Sequence, residues 1–147
     1  MHIEKIKFPA LLIDKKGFLF PINNNDDLHC WGLGYVDQKF LKGITVIDSN
    51  GYKYTIEGFN RVGLAPIRYW INFLDICIRV KFSSLEPETI TIDEFKTIII
   101  NAINRQRALW SSGGDVKCIY KELEKQDSIG NLMKFVIDIL TKNYNKK

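Results

Sequence analysis

The period of the hydrophobic pattern changes near Pro87, and this change constrains the fold more than any other feature of the sequence. Between Asp75 and Phe82, apolar residues alternate with other residues, which is the period of two of a β-strand. After Thr91, apolar residues recur at intervals of three and four, which is the period of one face of an α-helix. The first half of the chain is therefore predicted to form strands, and the second half is predicted to form helices.

The expected fold is a single α+β domain spanning residues 1–147. A chain of this length fits one hydrophobic core, and no linker or internal repeat divides it. A twisted antiparallel sheet of about four to six strands is expected from residues 8–83, since that is the usual size of a sheet. About three helices are predicted to pack against this sheet, over residues 92–105, 113–125 and 128–142.

Two β-hairpins are predicted within the first half. Ala10–Ile13 and Phe18–Phe20 are apolar runs on either side of a polar turn, and Pro21 is expected to end the second run. Ile44–Ile47 and Tyr52–Glu57 are joined by a turn that contains Asn-Gly, both of which tolerate positive φ. Asn-Gly between such runs is the strongest short hairpin signal, so this second hairpin is the clearer of the two.

The segment Trp110–Asp115 reads WSSGGD, and its chemistry can be read in more than one way. A phosphate loop would need a nearby lysine, whereas the next charge is Asp115, which repels phosphate. Ser112 and Asp115 instead have the spacing of a capping box, and a helix cap is worth about 0.5–2 kcal/mol. Thr91 and Glu94 have the same spacing, so both pairs are predicted to begin helices.

Composition narrows the class of protein further. The chain is 46% hydrophobic and 26% charged, which is the balance of a folded globular protein. The longest apolar runs, such as Ile98–Ile100, are too short to span a membrane. Cys30, Cys77 and Cys118 are widely spaced and odd in number, and the first residues do not read as a secretory signal. Free thiols in the cytoplasm are therefore expected.

Candidate catalytic and metal sites are sparse in this sequence. His29 and Cys30 are adjacent, but neighbours in an extended chain point to opposite sides, so they do not form a nucleophile and its base. Two histidines and three scattered cysteines lack the spacing of a zinc site. The sequence predicts no catalytic residue, no metal and no cofactor, and the protein is not expected to be an enzyme.

The strongest candidate binding segment is acidic and aromatic. No Lys or Arg occurs between Lys16 and Lys39, although the formal net charge of the chain is +4. Asn23–Asn25 reads as a solvated turn at the start of this segment. Aromatic and acidic groups suit a protein interface, although Trp31 could instead anchor the loop to the core. The predicted partner-binding residues are Asp26, Asp27, Trp31, Tyr35 and Asp37.

A second candidate segment is basic and aromatic, and it extends from Arg61 to Lys81. Such residues could bind RNA by base stacking and phosphate contact. Strand alternation offers a structural alternative, in which Arg79 and Lys81 form the solvated face of a sheet, and no RNA-binding motif accompanies them. The residues of this segment are Arg61, Arg68, Tyr69, Trp70, Phe73, Arg79 and Lys81.

Four segments suggest a family. They read LLIDKKGFLFP near the start, ITIDEFKTIIINAI and LWSSGGDVKCIYKELEK in the second half, and DSIGNLMKFVIDIL near the end. Together they resemble bacterial immunity proteins, the small cytoplasmic inhibitors encoded beside polymorphic toxins, including those of contact-dependent growth inhibition systems. The likeness covers about half of the chain and both of its ends, and residues 23–71 have no match.

The resemblance implies that the protein acts by binding a partner and not by catalysing a reaction. An immunity protein binds a cognate toxin domain and occludes its active site or a neighbouring surface, so catalytic residues are not expected. The toxin domain is expected to be a nuclease, because an acidic surface complements the cations with which a nuclease binds phosphate. No functional residue is carried over, since these families bind through variable surfaces. The alternative is a small nucleic-acid-binding module that uses residues 61–81.

Overall fold

The computed structural model describes residues 5–37, 40–73, 75–111 and 116–145. The described strands are β1 (Ala10–Ile13), β2 (Leu19–Ile22), β3 (Cys30–Gly32), β4 (Thr45–Ile47), β5 (Tyr52–Leu64), β6 (Cys77–Ser84) and β7 (Glu88–Thr89). The described helices are α1 (Asn25–His29), α2 (Leu33–Asp37), α3 (Ile67–Phe73), α4 (Ile92–Arg105), α5 (Arg107–Ser111), α6 (Val116–Lys125) and α7 (Ile129–Asn145).

One curled antiparallel sheet organises these elements. Its strand order is β2-β1-β4-β5-β6-β3, and β7 pairs with the start of β5. The 13-residue strand β5 pairs with β4 through Val46 and Tyr54, and further along it pairs with β6 through Phe59 and Phe82. Two register shifts interrupt the pairing of β5 with β6, and such bulges bend a strand and increase its twist. The predicted α+β class is therefore confirmed.

The first hairpin extends further than the sequence suggests. Pro21 was expected to end it, but this residue lies inside β2 and opposes Leu11 of β1. The prediction was wrong because β2 is the edge strand of the sheet, where a residue without an amide hydrogen loses no ladder partner on its outer side. The second hairpin forms as predicted, and Gly51 adopts a φ of +85° in its turn.

Alternation along the strands gives the sheet a hydrophobic core on each face. Leu11 and Ile47 face the helices, where they pack with buried residues of α4 to α7 such as Phe95 and Leu132. The residues between them face the inside of the curl. This second core contains Leu12, Val46, Tyr54, Ile56, Ile78, Val80 and Phe82, together with Leu28 and Trp31.

The helical half agrees closely with its sequence pattern. Helix α4 spans the predicted residues 92–105, and Thr91 and Glu94 form the expected capping box in both directions. Helices α6 and α7 lie where two further helices were expected, and α5, which carries the buried Trp110, was not predicted. The Ser112–Asp115 cap falls outside the described residues. Among the described helices, none is long and apolar enough to cross a membrane.

Candidate protein-interaction surface

The short helix α1 positions two neighbouring carboxylates. The side chain of Asn24 accepts a hydrogen bond from the amide of Asp27 at 2.9 Å, so it caps the helix. Asp27 in turn accepts from the amide of Asn23 at 3.2 Å. The solvated turn expected at Asn23–Asn25 is therefore a helix start, and Asp26 and Asp27 occupy its first turn.

Asp26 binds two arginines from distant parts of the chain. Its Oδ2 accepts from Nη2 of Arg68 at 2.9 Å, and its Oδ1 accepts from Nη1 of Arg79 at 3.0 Å. Arg68 lies on α3 and Arg79 lies on β6, so one carboxylate joins three elements. The hydrogen bond to Asp26 raises the pKa of Arg79 above its ordinary value.

Tyr69 completes this group, because its hydroxyl donates to Oδ1 of Asp27 at 3.2 Å. Burial raises the pKa of the Tyr69 phenol, which keeps the proton available for donation. The guanidinium carbon of Arg68 lies 5.1 Å from the centre of the Tyr69 ring, within the range of a cation–π contact. We call Asp26, Asp27, Arg68, Tyr69 and Arg79 the ionic cluster. Its two carboxylates and two guanidiniums carry a formal net charge of zero.

The fold supplies the positive charge that residues 17–38 lack in sequence. Arg68 and Arg79 lie 42 and 53 positions from Asp26 along the chain. They reach it because β3, which follows α1, pairs antiparallel with β6 and brings Arg79 opposite Cys30. The segment is therefore acidic in sequence, whereas in the folded protein two arginines from other elements balance the charge of Asp26 and Asp27.

The other predicted partner-binding residues differ in their accessibility. Trp31 lies in β3 and is 5% exposed, and its indole Nε1 donates to the carbonyl of Leu28 at 2.7 Å. Trp31 is thus a core anchor, as its alternative interpretation held. Tyr35 on α2 is 41% exposed and packs edge-on against Phe40, with ring centres 5.1 Å apart. Asp37 ends α2, and the position of its carboxylate lies outside what the structure describes.

The basic-aromatic segment is divided between several environments. Arg68 and Arg79 bind Asp26, while Arg61 and Lys81 are exposed on β5 and β6. The ring of Tyr69 is buried, and the indole Nε1 of Trp70 donates to the carbonyl of Ala65 at 3.2 Å. The side chain of Phe73 lies outside what the structure describes. These described rings face the protein rather than solvent, so the geometry gives little support to a base-stacking platform.

Exposed apolar residues that sequence analysis missed lie on α3, beside the ionic cluster, and on the adjoining segments. Helix α3 turns Tyr69 inward, whereas Ile67 and Ile71 are 72% and 70% exposed. Their spacing of four residues places both on one side of the helix, which was the signal available in the sequence. Two further segments add three exposed side chains, those of Val62 and Leu64 at the end of β5 and that of Ile76 just before β6. We call Val62, Leu64, Ile67, Ile71 and Ile76 the exposed apolar group.

Helix α2 is tied to the same end of the molecule. The amide of Leu33 donates to the carbonyl of Ile76 at 2.8 Å, and the amide of Gly34 donates to Oδ2 of Asp75 at 3.1 Å. These bonds hold the start of α2, and with it Tyr35, next to the segment that leads into β6. Tyr35 comes from the acidic and aromatic candidate segment, and Arg68 comes from the basic and aromatic one. Both are exposed, and both lie at this end of the protein.

The residues beneath this surface that could act as a base, a nucleophile or a metal ligand are buried. Nδ1 of His29 lies 2.9 Å from the carbonyl of Val80, and because a carbonyl accepts, this nitrogen carries the hydrogen. Burial lowers the pKa of His29. Cys30 and Cys77 are unbridged thiols packed under α3 with Tyr69, and burial raises the pKa of both. Across the described ranges, no group of three His, Cys, Asp or Glu side chains is placed to hold a metal ion.

Comparisons with known proteins add no relative. No protein-family model, curated protein or solved structure matches this chain. The end of the protein that carries α1, α2, α3 and the end of β5 is the candidate binding region.

Proposed function

We propose that this protein is a cytoplasmic immunity protein, which binds and neutralises one cognate toxin domain. The observation that carries the proposal is the exposed apolar group, five large apolar side chains that are exposed between Val62 and Ile76. Single exposed apolar residues are ordinary on a protein surface, but a group of this kind beside charged groups is typical of a protein-binding site. The resemblance of the sequence to immunity proteins supplies the class of partner.

Neutralisation in this proposal is steric. A standard protein interface buries about 800 Å² on each partner, which is enough to cover an active site or the surface next to it. Tyr35, with 41% of its surface exposed, can contact the toxin directly, whereas Trp31 acts by holding β3 in the core. Asp26 and Asp27 contribute less long-range attraction than an unpaired acidic pair, since Arg68 and Arg79 neutralise them. The proposed partner remains a toxin domain of the nuclease class.

The test starts from the gene next to the one that encodes this protein. The toxin domain encoded there is expressed alone and with this protein, and survival of the host is measured. Co-expression is expected to restore growth, and the purified proteins are expected to form a complex in a titration. Loss of growth despite a folded, abundant protein would rule out the immunity function for that pair.

A matched pair of variants tests the contribution of Tyr35. Tyr35→Ala is expected to weaken the complex by about 1–2 kcal/mol, the range of an aromatic interface contact. Tyr52→Ala is the control, because Tyr52 is also 41% exposed but lies at the other end of β5. Equal affinities of the two variants would place the interface away from α2.

Charge reversal and core truncation need a different design. Asp26→Lys with Asp27→Lys is expected to slow association at low salt, but it also removes both ion pairs of Asp26 and the hydrogen bonds of Asp27. Trp31→Ala is expected to lower stability before it alters binding, because the indole is buried. Both variants are therefore compared with wild type only after thermal unfolding shows that they are folded.

A further inference from the structure

We propose that a second binding site lies around the turn between β1 and β2, and that it takes the phosphate backbone of a nucleic acid without reading its sequence. Four exposed cations from three segments form this site. We call Lys16, Lys42, Arg105 and Arg107 the basic end. The inference goes beyond the proposed function, because it concerns other residues and holds whether or not a toxin domain is bound.

The first support is a contact that joins the end of α4 to the β1–β2 turn. Nη1 of Arg105 donates to the carbonyl of Lys16 at 2.6 Å, although 89 positions separate the two residues. A Cβ atom placed on Gly17 would lie 3.4 Å from Cδ of Arg105, so the arginine stem lies over this turn. Arg107 begins α5 two residues later, so it stays near the same end of the sheet.

The second support is that the same turn also contacts the segment before β4. Ile13 pairs with Thr45 in the antiparallel register of β1 and β4, which places the turn after β1 beside the residues before β4. A Cβ atom placed on Gly43 would lie 3.2 Å from Cε of Lys15. Lys42 precedes Gly43 and is exposed. The turn therefore lies between Arg105 and the segment that carries Lys42.

The third support is the excess of positive charge at this end. Among the described residues, the ion pairs use cations of β5, α3, β6 and α6, and none of them comes from the basic end. Asp14 accepts at 2.9 Å from each of two amides of its own turn, so it stabilises the turn. Glu57 is a second carboxylate nearby, since it follows Ile56, whose carbonyl accepts from the amide of Gly43 at 3.2 Å. The four cations thus outnumber the carboxylates of the segments that they adjoin.

The composition of the basic end favours a nucleic acid over a protein as the occupant. None of the exposed large apolar side chains in the described part of the chain comes from residues 14–17, 42–43 or 104–107. The core of a protein interface contains such side chains and is depleted in lysine. Neutralisation of phosphates by Lys and Arg, in contrast, supplies essentially all of the free energy of sequence-independent nucleic-acid binding.

The geometry of Arg105 suits a phosphate ligand. A guanidinium has five N–H donors, and the carbonyl of Lys16 accepts from one of its nitrogens, so further donors remain for phosphate oxygens. Because this contact already holds the side chain, less conformational entropy is lost on binding. Phosphate contacts carry no sequence information, and they need no stacking platform of the kind considered for residues 61–81.

The experiment titrates the full-length protein into a fluorescent oligothymidylate of about 20 nucleotides and follows the anisotropy at salt concentrations between about 50 and 200 mM. Lys16→Glu with Lys42→Glu is expected to weaken binding at least about tenfold. Lys7→Glu with Lys134→Glu is the control, and it is expected to stay within about threefold of wild type. Each Lys→Glu change lowers the formal net charge by two, so both double variants carry a net charge of zero instead of +4.

The control residues lie at the opposite end of the sheet. The carbonyl of Lys7 accepts from the amide of Ser49, in the turn between β4 and β5, at 3.0 Å. Lys134 lies on α7, whose first residue, Ile129, packs on Gly51 of the same turn. A difference between the two double variants therefore reports the position of the charge and not its total.

The salt dependence gives a readout that a folding defect does not imitate. Lys16→Gln with Lys42→Gln is expected to reduce the slope of log K against log salt by about 1.4, because each cation that leaves a single strand accounts for about 0.7. Thermal unfolding shows first that each variant is folded. An unchanged slope would mean that neither lysine contacts phosphate, and it would overturn the inference.

The remaining outcomes separate this inference from the proposed function. Absence of oligonucleotide binding at the lowest salt, or an equal loss in both double charge-reversal variants, overturns the inference and leaves the immunity function standing. Loss of affinity for the toxin domain in Lys16→Glu with Lys42→Glu, without oligonucleotide binding by the wild type, would assign the basic end to a protein interface instead. Oligonucleotide binding without toxin binding would reject the proposed function and support the inference.

Discussion

Two groups of helices cover the sheet in this protein, and the two helical layers differ in what they bury. Helices α4 to α7 pack against β1, β2 and β4, and Phe95, Ile99 and Leu132 have no exposed surface. Helix α3 covers part of the sheet with Tyr69 and leaves Ile67 and Ile71 in solvent. Helices of the first layer, such as the 14-residue α4, are long enough for an apolar stripe to repeat several times. Helix α3 has only seven residues, and the ionic cluster helps to attach it. We therefore expect α4 to α7 to contribute most of the stability, and the α3 end to be available for the proposed binding.

The largest predicted effect tests that assignment directly. Phe95→Ala is expected to lower the free energy of unfolding by about 3–5 kcal/mol, because it leaves a cavity among fully buried side chains. Ile67→Ala is expected to change it by less than about 0.5 kcal/mol, as for an ordinary surface site. Denaturant unfolding of both variants measures the difference. Similar losses would mean that α3 contributes to the core and would remove the distinction between the layers.

The ionic cluster should give an intermediate effect. Asp26→Ala is expected to lower stability by about 1–2 kcal/mol, since each partly exposed ion pair contributes up to about 1 kcal/mol and Asp26 makes two. The loss should shrink in high salt, where charges are screened. Glu88→Ala is the control, because its pair with Lys53 is long and exposed. A double-mutant cycle of Asp26→Ala with Arg79→Ala measures the coupling, and additive effects would contradict the bridging role.

The sequence predicted the helical layer better than the α3 end, and particular residues explain why. The Thr91–Glu94 box and the stripe from Phe95 to Ile103 are local signals, since residues three and four apart meet on a helix whatever surrounds them. The pairing of Asp26 with Arg79 depends on the antiparallel register of β3 and β6, which local spacing does not reveal. The exposure of Ile67 is equally non-local, because it depends on which elements of the fold pack against each side of α3.

The helix caps offer a smaller effect within the helical layer. Thr91→Ala is expected to lower stability by about 1 kcal/mol, because the amide of Glu94 loses its acceptor. The same loss, with binding intact, is predicted for Ser112→Ala if WSSGGD caps the helix that begins at Val116. Thermal unfolding of both variants checks this. A Ser112 variant with full stability but impaired toxin binding would make Ser112 part of the interface.

The pH dependence of stability gives the smallest predicted effect and comes from the α3 end. Burial places the pKa of His29 in the folded state below the ordinary value of 6.5. The unfolded chain therefore binds a proton more readily, so stability is complete above pH 6.5 and decreases as the pH falls below it. His29→Gln is expected to flatten this part of the stability curve relative to wild type. An unchanged slope in a urea titration between about pH 7 and pH 5 would exclude His29 as its source.

The three thiols differ in accessibility, so the rates at which they are labelled report the motion of α3. Cys118 is exposed on α6, whereas Cys30 and Cys77 lie beneath α3, where the Cys77 thiol donates to the carbonyl of Tyr69. A thiol-specific reagent should label Cys118 at once, and it can reach the other two only when α3 lifts from the sheet. The labelling rate of Cys30 and Cys77, divided by that of Cys118, would then measure how often α3 opens, with Cys118 on α6 as the internal standard. Bound partner should slow the first rate and leave the second unchanged.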